Sequence, residues 1–75
     1  MDETLVAMAV EALGINEDEV RAHVQELPEV DGFYVWDPAR GGRSMIVNRQ
    51  GERLVAKGFV PLERHVEAFR SGRRN

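Results

Sequence analysis

The side chains of this chain that are best suited to catalysis are those of His23, His65 and Ser44. Histidine is the only side chain that ordinarily changes its charge near neutral pH, so each histidine is a candidate general acid or base. Both occur at helical spacing from apolar residues, as packed histidines do, and neither is accompanied by a nucleophile or a paired carboxylate. Ser44 lacks the Gly-x-Ser-x-Gly setting of an activated serine. The sequence therefore predicts a protein that is not an enzyme, with a small enzyme centred on His65 as an alternative.

The sequence predicts no metal site and no cofactor. The chain has no cysteine, and its two histidines are too few for a histidine-based metal site without carboxylates. The segment from Pro38 to Ser44 contains two glycines and two arginines, as an anion-binding loop would. However, a phosphate-binding loop opens a helix, whereas this segment precedes a β-prone run. We interpret it as a hairpin connection from which Arg40 can reach a partner.

Aromatic and basic residues in the middle of the chain are the candidates for binding. Tyr34 and Trp36 lie two positions apart and therefore share one face of a predicted strand. A hairpin with its turn at 49–51 and with Met45 opposite Val55 groups three cations and three apolar side chains on one sheet face: Arg43, Met45, Val47, Arg53, Val55 and Lys57. Such a face is either an ordinary solvated surface or a binding surface with an apolar centre and a basic rim. The predicted binding residues are Trp36, Arg40, Arg43, Arg53 and Lys57.

Two helices are predicted in the first third of the chain. The first covers 3–13, where Asp2 can cap its start and Gly14 can end it. The second begins with a capping box at 16–19, and Val20, Val24 and Leu27 form its apolar stripe until Pro28 ends the helix. Together they predict an αα-hairpin with a very short joint.

Three strands and a third helix are predicted in the remainder. The strands cover 33–36, 43–48 and 52–57, the helix runs from Pro61 to Gly72, and residues 71–75 form a loose tail. The predicted fold is a single α+β domain over residues 1–75: an N-terminal αα-hairpin, a three-stranded antiparallel β-meander and a C-terminal helix (α-α-β-β-β-α). We expect the helices to pack on one face of the sheet.

The two halves of the chain carry opposite charge. Residues 1–37 contain ten acids and one base, a net charge of −9, whereas residues 38–75 contain nine bases and three acids, a net charge of +6. Such asymmetry bears on partners and self-association rather than on the fold. The halves can neutralise each other inside a monomer, with the last helix beside the acidic hairpin, or between copies in a weak dimer that salt would dissociate.

These features predict a non-enzymatic protein-binding module, and its protein partner is not identified by the sequence. A helix-turn-helix DNA reader is excluded because its second helix would point four acids at phosphates. A single-stranded nucleic-acid binder that uses the basic sheet face is the alternative. The longest nearly apolar run, 5–10, is much shorter than a membrane span, and the acidic N-terminus is not that of a signal peptide. We therefore expect no membrane association and a cytoplasmic location.

The second half of the chain resembles a group of short actinobacterial proteins. The resemblance lies in Gly-Phe-Tyr-Val-Trp-Asp-Pro from Gly32, the pair Gly41-Gly42, a hairpin, and the ending Phe-Arg-Ser-Gly-Arg-Arg from Phe69. The layout is also loosely similar to small α+β immunity domains of bacterial polymorphic-toxin systems. The resemblance covers about half of the chain, and its motifs are structural, so it implies no functional residues. What it implies for function is an immunity or accessory role in a bacterial system.

Overall fold

A computed structural model describes all residues, Met1–Asn75. Three helices and four strands follow one another along the chain, with a 3-10 turn after the first strand. The bounds are α1 Glu3–Leu13, α2 Glu17–Ala22, β1 Val24–Leu27, the 3-10 turn Pro28–Val30, β2 Gly32–Trp36, β3 Ser44–Asn48, β4 Arg53–Ala56 and α3 Leu62–Arg70. The α+β class and the predicted order of helices and sheet are confirmed, but the sheet has four strands instead of three. No helix combines the length and the apolar character that crossing a membrane would require.

Local capping determines where the first two helices begin. The Asp2 carboxylate accepts a hydrogen bond from the Leu5 N–H at 2.9 Å, and Gly14 ends α1 in the left-handed region with φ 70°. The capping box of α2 is present, because the Asn16 side chain accepts from the Glu19 N–H at 2.8 Å while the Glu19 carboxylate accepts from the Asn16 N–H at 3.4 Å. These predicted helix starts are confirmed.

The predicted end of the second helix is wrong, because α2 stops at Ala22 and the next residues form β1. His23 leaves the helical region, with φ −128°, and its carbonyl accepts a hydrogen bond from the Trp36 N–H at 3.2 Å. From there β1 runs antiparallel to β2, with Val24 opposite Val35. The apparent helical stripe divides between the two sheet faces: Val24 packs on the side of α1, and Leu27 packs on the side of α3. Pairing with β2 and burial on both faces override the local helical pattern.

The four strands form an antiparallel meander in the order β1-β2-β3-β4. The predicted hairpin register is confirmed, since Met45 lies opposite Val55 and Ile46 lies opposite Leu54. Gly32 is essential to the β2–β3 pairing: a Cβ at this position would collide with the backbone of Val47. Glycine is required here by the close approach of two backbones.

Helices cover both faces of the sheet, so the prediction that all helices pack on one face is wrong. One face carries Val35, Met45 and Val47 and packs against α1 and α2, in a core cluster that also contains Leu5, Val6, Ala9, Leu13, Ile15, Val20 and Phe33. On the other face, Ile46 packs with Leu27 and with Phe69 of α3. A short sheet covered on both sides gives a 75-residue chain two small cores rather than one.

This arrangement overturns two interpretations of the charged residues. Met45 and Val47 were expected on an open, basic face, but both are 0 % exposed beneath the N-terminal helices. That face is neither a solvated surface nor a binding surface; it is the main core. In addition, α3 lies across the sheet from α1 and α2, so it does not neutralise the acidic hairpin. The halves are joined instead by Arg49, which pairs with Glu26 at 3.3 Å and with Asp31 at 3.0 Å.

The segment predicted as a loose tail contacts the rest of the molecule. The guanidinium carbon of Arg74 lies 3.7 Å from the centroid of the Phe69 ring. Asn75 hydrogen-bonds along β4: its side-chain carbonyl accepts from the Val55 N–H at 2.7 Å, its amide donates to the Val55 carbonyl at 3.0 Å, and its backbone N–H donates to the Arg53 carbonyl at 3.3 Å. These bonds satisfy the outer edge of the sheet at β4.

Candidate functional site

A cleft of about 330 Å³ opens at the end of the sheet where β2 stops and β3 starts. Four segments line it: the end of β2, the loop 37–43, the first residue of β3, and the loop between β4 and α3. Its walls include the side chains of Tyr34, Trp36, Arg43, Ser44 and Phe59. We call this site the aromatic cleft. It brings aromatic, cationic and hydroxyl groups together in one place.

The loop on one side of the aromatic cleft is held by its own hydrogen bonds. The Asp37 N–H donates to the Arg43 carbonyl at 2.9 Å, and the Asp37 carboxylate accepts from the Ala39 N–H at 2.9 Å. Gly41 has φ 75°, and a Cβ at Gly42 would lie 2.7 Å from the Asp37 carbonyl oxygen. Both glycines are therefore needed for the turn. The segment is a hairpin connection, as the sequence predicted, and these hydrogen bonds hold it in place.

Two aromatic side chains of β2 form the floor of the aromatic cleft. The rings of Tyr34 and Trp36 stack with centroids 5.4 Å apart and an interplanar angle of 22°. His23 packs edge-on against the other side of Trp36 at 5.7 Å, and His65 packs edge-on against Tyr34 at 6.0 Å. Both Tyr34 and Trp36 are half-buried. Trp36 belongs to neither core cluster; its indole ring is packed against two rings and remains partly accessible in the cleft.

Phe59 is the residue that sequence reasoning missed. Its side chain is 92 % exposed, and it is the only large hydrophobic residue in the chain that is exposed. It lies in the connection between β4 and α3, directly after Gly58, which has φ 68°. A signal was present in the sequence: an aromatic residue between a glycine and Pro61, outside any helical or strand pattern, has no predicted place in the core.

The predicted basic residues lie at different distances from the aromatic cleft. Arg43 lines it, and its guanidinium also donates to the Ala12 carbonyl at 3.4 Å, which ties the loop to the end of α1. Arg40 is exposed between two residues of the lining, and Lys57 is exposed directly before Gly58. Arg53 lies outside the lining, and its Nε donates to the Asn75 carbonyl at 3.2 Å. The structure therefore brings Trp36 and Arg43 together, with Arg40 and Lys57 next to lining residues, and separates Arg53.

Ser44 and His65 form a buried polar pair beneath the aromatic cleft. The Ser44 hydroxyl lies 3.4 Å from Nδ1 of His65, and Nε2–H of His65 donates to the Leu54 carbonyl at 2.8 Å. Burial lowers the pKa of His65 below its usual value, although the bond to Leu54 acts in the opposite direction. With Nε2 protonated, the neutral ring accepts from Ser44 at Nδ1. Through these two hydrogen bonds His65 connects α3 to Ser44 of β3 and to Leu54 of β4. No carboxylate orients the imidazole ring.

No group of three or more histidine, cysteine, aspartate or glutamate side chains is arranged to hold a metal ion. Comparison with known proteins adds no assignment: no family model, no curated protein and no solved structure matches this chain significantly. The site must therefore be interpreted from its own geometry and charge.

Proposed function

We propose that this protein is a non-enzymatic protein-binding module and that its contact surface is the aromatic cleft. Phe59 is the single observation that carries the proposal, because 92 % of its surface is exposed while all other large hydrophobic side chains are at least partly buried. Covering a phenylalanine side chain gains about 1.5 to 3 kcal/mol. Beside it, Trp36 is held rigidly by Tyr34 and His23. A rigid aromatic residue near arginines is typical of binding hot spots.

The charge around the aromatic cleft indicates what the partner surface contains. Arg40, Arg43 and Lys57 lie in or next to the lining, whereas the carboxylate of Asp37 already accepts a backbone hydrogen bond. A partner surface with acidic groups around an apolar centre would complement this arrangement. An immunity or accessory role in a bacterial system is one form of such a function, and it rests on the resemblance in the second half of the chain.

A single-stranded nucleic acid is the alternative ligand of the same surface. Bases stack on exposed aromatic rings, and arginines contact phosphates, so Phe59 and Arg40 suit this chemistry as well. The basic sheet face that the sequence suggested for nucleic-acid binding carries Met45 and Val47, and both are buried. The alternative now depends on the aromatic cleft alone, and salt dependence separates it from protein binding.

The test is affinity capture from nuclease-treated extract of the source cells at low salt, with four versions of the protein as bait. The wild type and Arg64→Glu, an exposed residue of α3 outside the cleft, should retain the same protein in stoichiometric amount. Phe59→Ser and Arg40→Glu should capture at least about tenfold less of that protein, since removal of a hot-spot side chain lowers the binding free energy by about 2 kcal/mol or more.

Equal capture by Phe59→Ser, or no stoichiometric protein on the wild type, would count against the proposal. Oligonucleotide binding is measured in parallel by fluorescence anisotropy at about 50 mM salt. Sub-micromolar affinity that falls steeply with salt and is lost in Arg40→Glu would favour the nucleic-acid alternative. Uniformly weak binding to every oligonucleotide would exclude that alternative.

A further inference from the structure

A second concave surface, of about 840 Å³, lies between β1 and α3. It shares no lining residue with the aromatic cleft. Apolar side chains of Leu27, Leu62 and Val66 contribute to its lining, and Leu27 is only 3 % exposed. We call this surface the β1 groove. It exists because α3 packs on β3 and β4, which leaves the same sheet face less covered beside β1.

The β1 groove is surrounded by acidic side chains. Four glutamates contribute to it, two from the β1 region and two from α3: Glu26, Glu29, Glu63 and Glu67. All four are exposed, and Arg70 is the only basic residue of the lining. Glu26 forms an ion pair with Arg49 at 3.3 Å, whereas the other three glutamates have no ion-pair partner. The lining of the groove therefore carries an excess of negative charge.

The backbone of β1 is also unpaired on its outer side. In an antiparallel ladder, the N–H and C=O groups of alternate residues point towards the neighbouring strand. The His23 carbonyl accepts from the Trp36 N–H, so Gln25 and Leu27 also face β2, and the backbone groups of Val24 and Glu26 point away from the sheet. No backbone or side-chain group elsewhere in the chain bonds to them.

The edge of the sheet at β4 is covered, in contrast to the open edge at β1. At β4 the outward N–H and C=O groups of Val55 are both satisfied by the side chain of Asn75. An unpaired strand edge is a template for another strand, and proteins usually cover or disrupt it. This chain closes one edge and leaves the other open beside an apolar, acidic groove.

We propose that β1 and the β1 groove bind an extended basic segment of a partner protein, which adds a fifth strand to the sheet. Its backbone pairs with the N–H and C=O groups of Val24 and Glu26, as in other complexes formed by strand addition. Side chains of alternate residues point towards the apolar lining, since Leu27 and the groove share one sheet face. On this same face of the segment, lysine or arginine side chains reach Glu29, Glu63 and Glu67. This binding site is separate from the proposed function of the aromatic cleft, and neither depends on the other.

The probe is a short, capped peptide in which threonine occupies every second position and the positions between are alternately valine and lysine, so that one strand face carries both valine and lysine. A matched peptide has glutamate in place of lysine. Two further copies of the lysine peptide carry N-methyl groups on one or the other alternate set of amides, so that only one of them blocks the edge that faces β1. Binding is followed by NMR of the uniformly labelled protein at low salt, together with amide hydrogen exchange.

We expect the lysine peptide to bind, the glutamate peptide not to bind, and the amides of Val24 and Glu26 to become protected from exchange. One N-methylated copy should bind like the parent and the other at least about tenfold more weakly, because the blocked edge loses its backbone hydrogen bonds. Glu29→Lys/Glu67→Lys should weaken binding at least about tenfold, a typical effect of reversing charge at a complementary surface. The control Glu3→Lys/Glu11→Lys makes the same charge change on α1 and should bind as the wild type does.

Four results would overturn the inference. They are no binding of the lysine peptide at low salt, equal loss of binding in both double variants, equal binding of the two N-methylated copies, and protection of amides elsewhere than in β1. Circular dichroism confirms that each variant is folded before its affinity is interpreted.

Discussion

Acidification should destabilise this protein through His65. The imidazole is 2 % exposed, donates to the Leu54 carbonyl at 2.8 Å and lies 3.4 Å from the Ser44 hydroxyl. Its pKa is lowered by burial, which outweighs the opposing effect of the bond to Leu54. Because the pKa of His65 is lower in the folded state than in the unfolded state, the contribution of the neutral imidazole to stability is fully present at pH values above the unfolded-state pKa, about 6.5. It is lost as the pH falls towards the folded value.

The size of this effect follows from one proton. Between the two pKa values the unfolded chain holds a proton that the folded chain lacks, so the free energy of unfolding falls by at most about 1.4 kcal/mol per pH unit. In a domain of this length, that slope lowers Tm by about 5 to 11 °C per pH unit.

Thermal unfolding followed by circular dichroism between about pH 7.5 and 5.5 measures the slope. His65→Gln, whose amide can still donate to the Leu54 carbonyl, should be less stable at the upper pH but should lose most of the slope. His23→Gln is the matched histidine control and should keep the wild-type slope, since His65 is intact. A wild type whose Tm is as independent of pH as that of His65→Gln, or rises on acidification, would refute the reasoning.

Substitutions at three further positions test the packing, capping and edge contacts. Gly32→Ala places a Cβ against the Val47 backbone and should lower the free energy of unfolding by more than about 2 kcal/mol in urea titrations; a loss below about 0.5 kcal/mol would show that β2 and β3 adjust to the extra methyl group at little cost. Asn16→Ala removes the cap of α2 and should cost about 1 kcal/mol, whereas Asn16→Asp, which can still accept the bond, should cost much less. Asn75→Ala frees the outer edge of β4, so the Val55 amide should exchange faster with solvent; an unchanged exchange rate would contradict the edge contact.

Elements with local determinants were predictable from the sequence. The N-cap at Asp2, the capping box that begins at Asn16 and the glycine at position 51 of the hairpin turn each act within a few residues. They correctly predict α1, the start of α2 and the register of β3 with β4. Residue types and spacing are sufficient there because the stabilising contacts are close in sequence.

β1 was not predictable in this way, because its stabilising contacts reach well beyond the neighbouring residues: Val24 pairs with Val35, and Leu27 packs with Ile46 and Phe69. Val24 and Leu27 fit a helix that continues from Val20, and nothing nearby contradicts this pattern except Pro28. The strand forms because Gln25 and its neighbours pair with β2 and because Leu27 reaches Ile46 and Phe69. The same long-range packing decides which sheet face is buried. The sequence identified the two faces correctly but could not show that α1 covers the one with Met45.

The covered sheet also explains where binding surfaces can occur in this molecule. With α1 and α2 on one face and α3 on much of the other, a partner can contact the sheet only at the end of its strands or at a free edge. The aromatic cleft occupies an end, and the β1 groove occupies the free edge. The charged surfaces of the folded protein do not correspond to the acidic and basic halves of the chain. The β1 groove, for example, contains Glu29 from the acidic half and Glu67 from the basic half. The net charges of the two halves therefore do not locate the charged surfaces: the basic side chains beside the aromatic cleft and the acidic side chains of the β1 groove are brought together only by the fold.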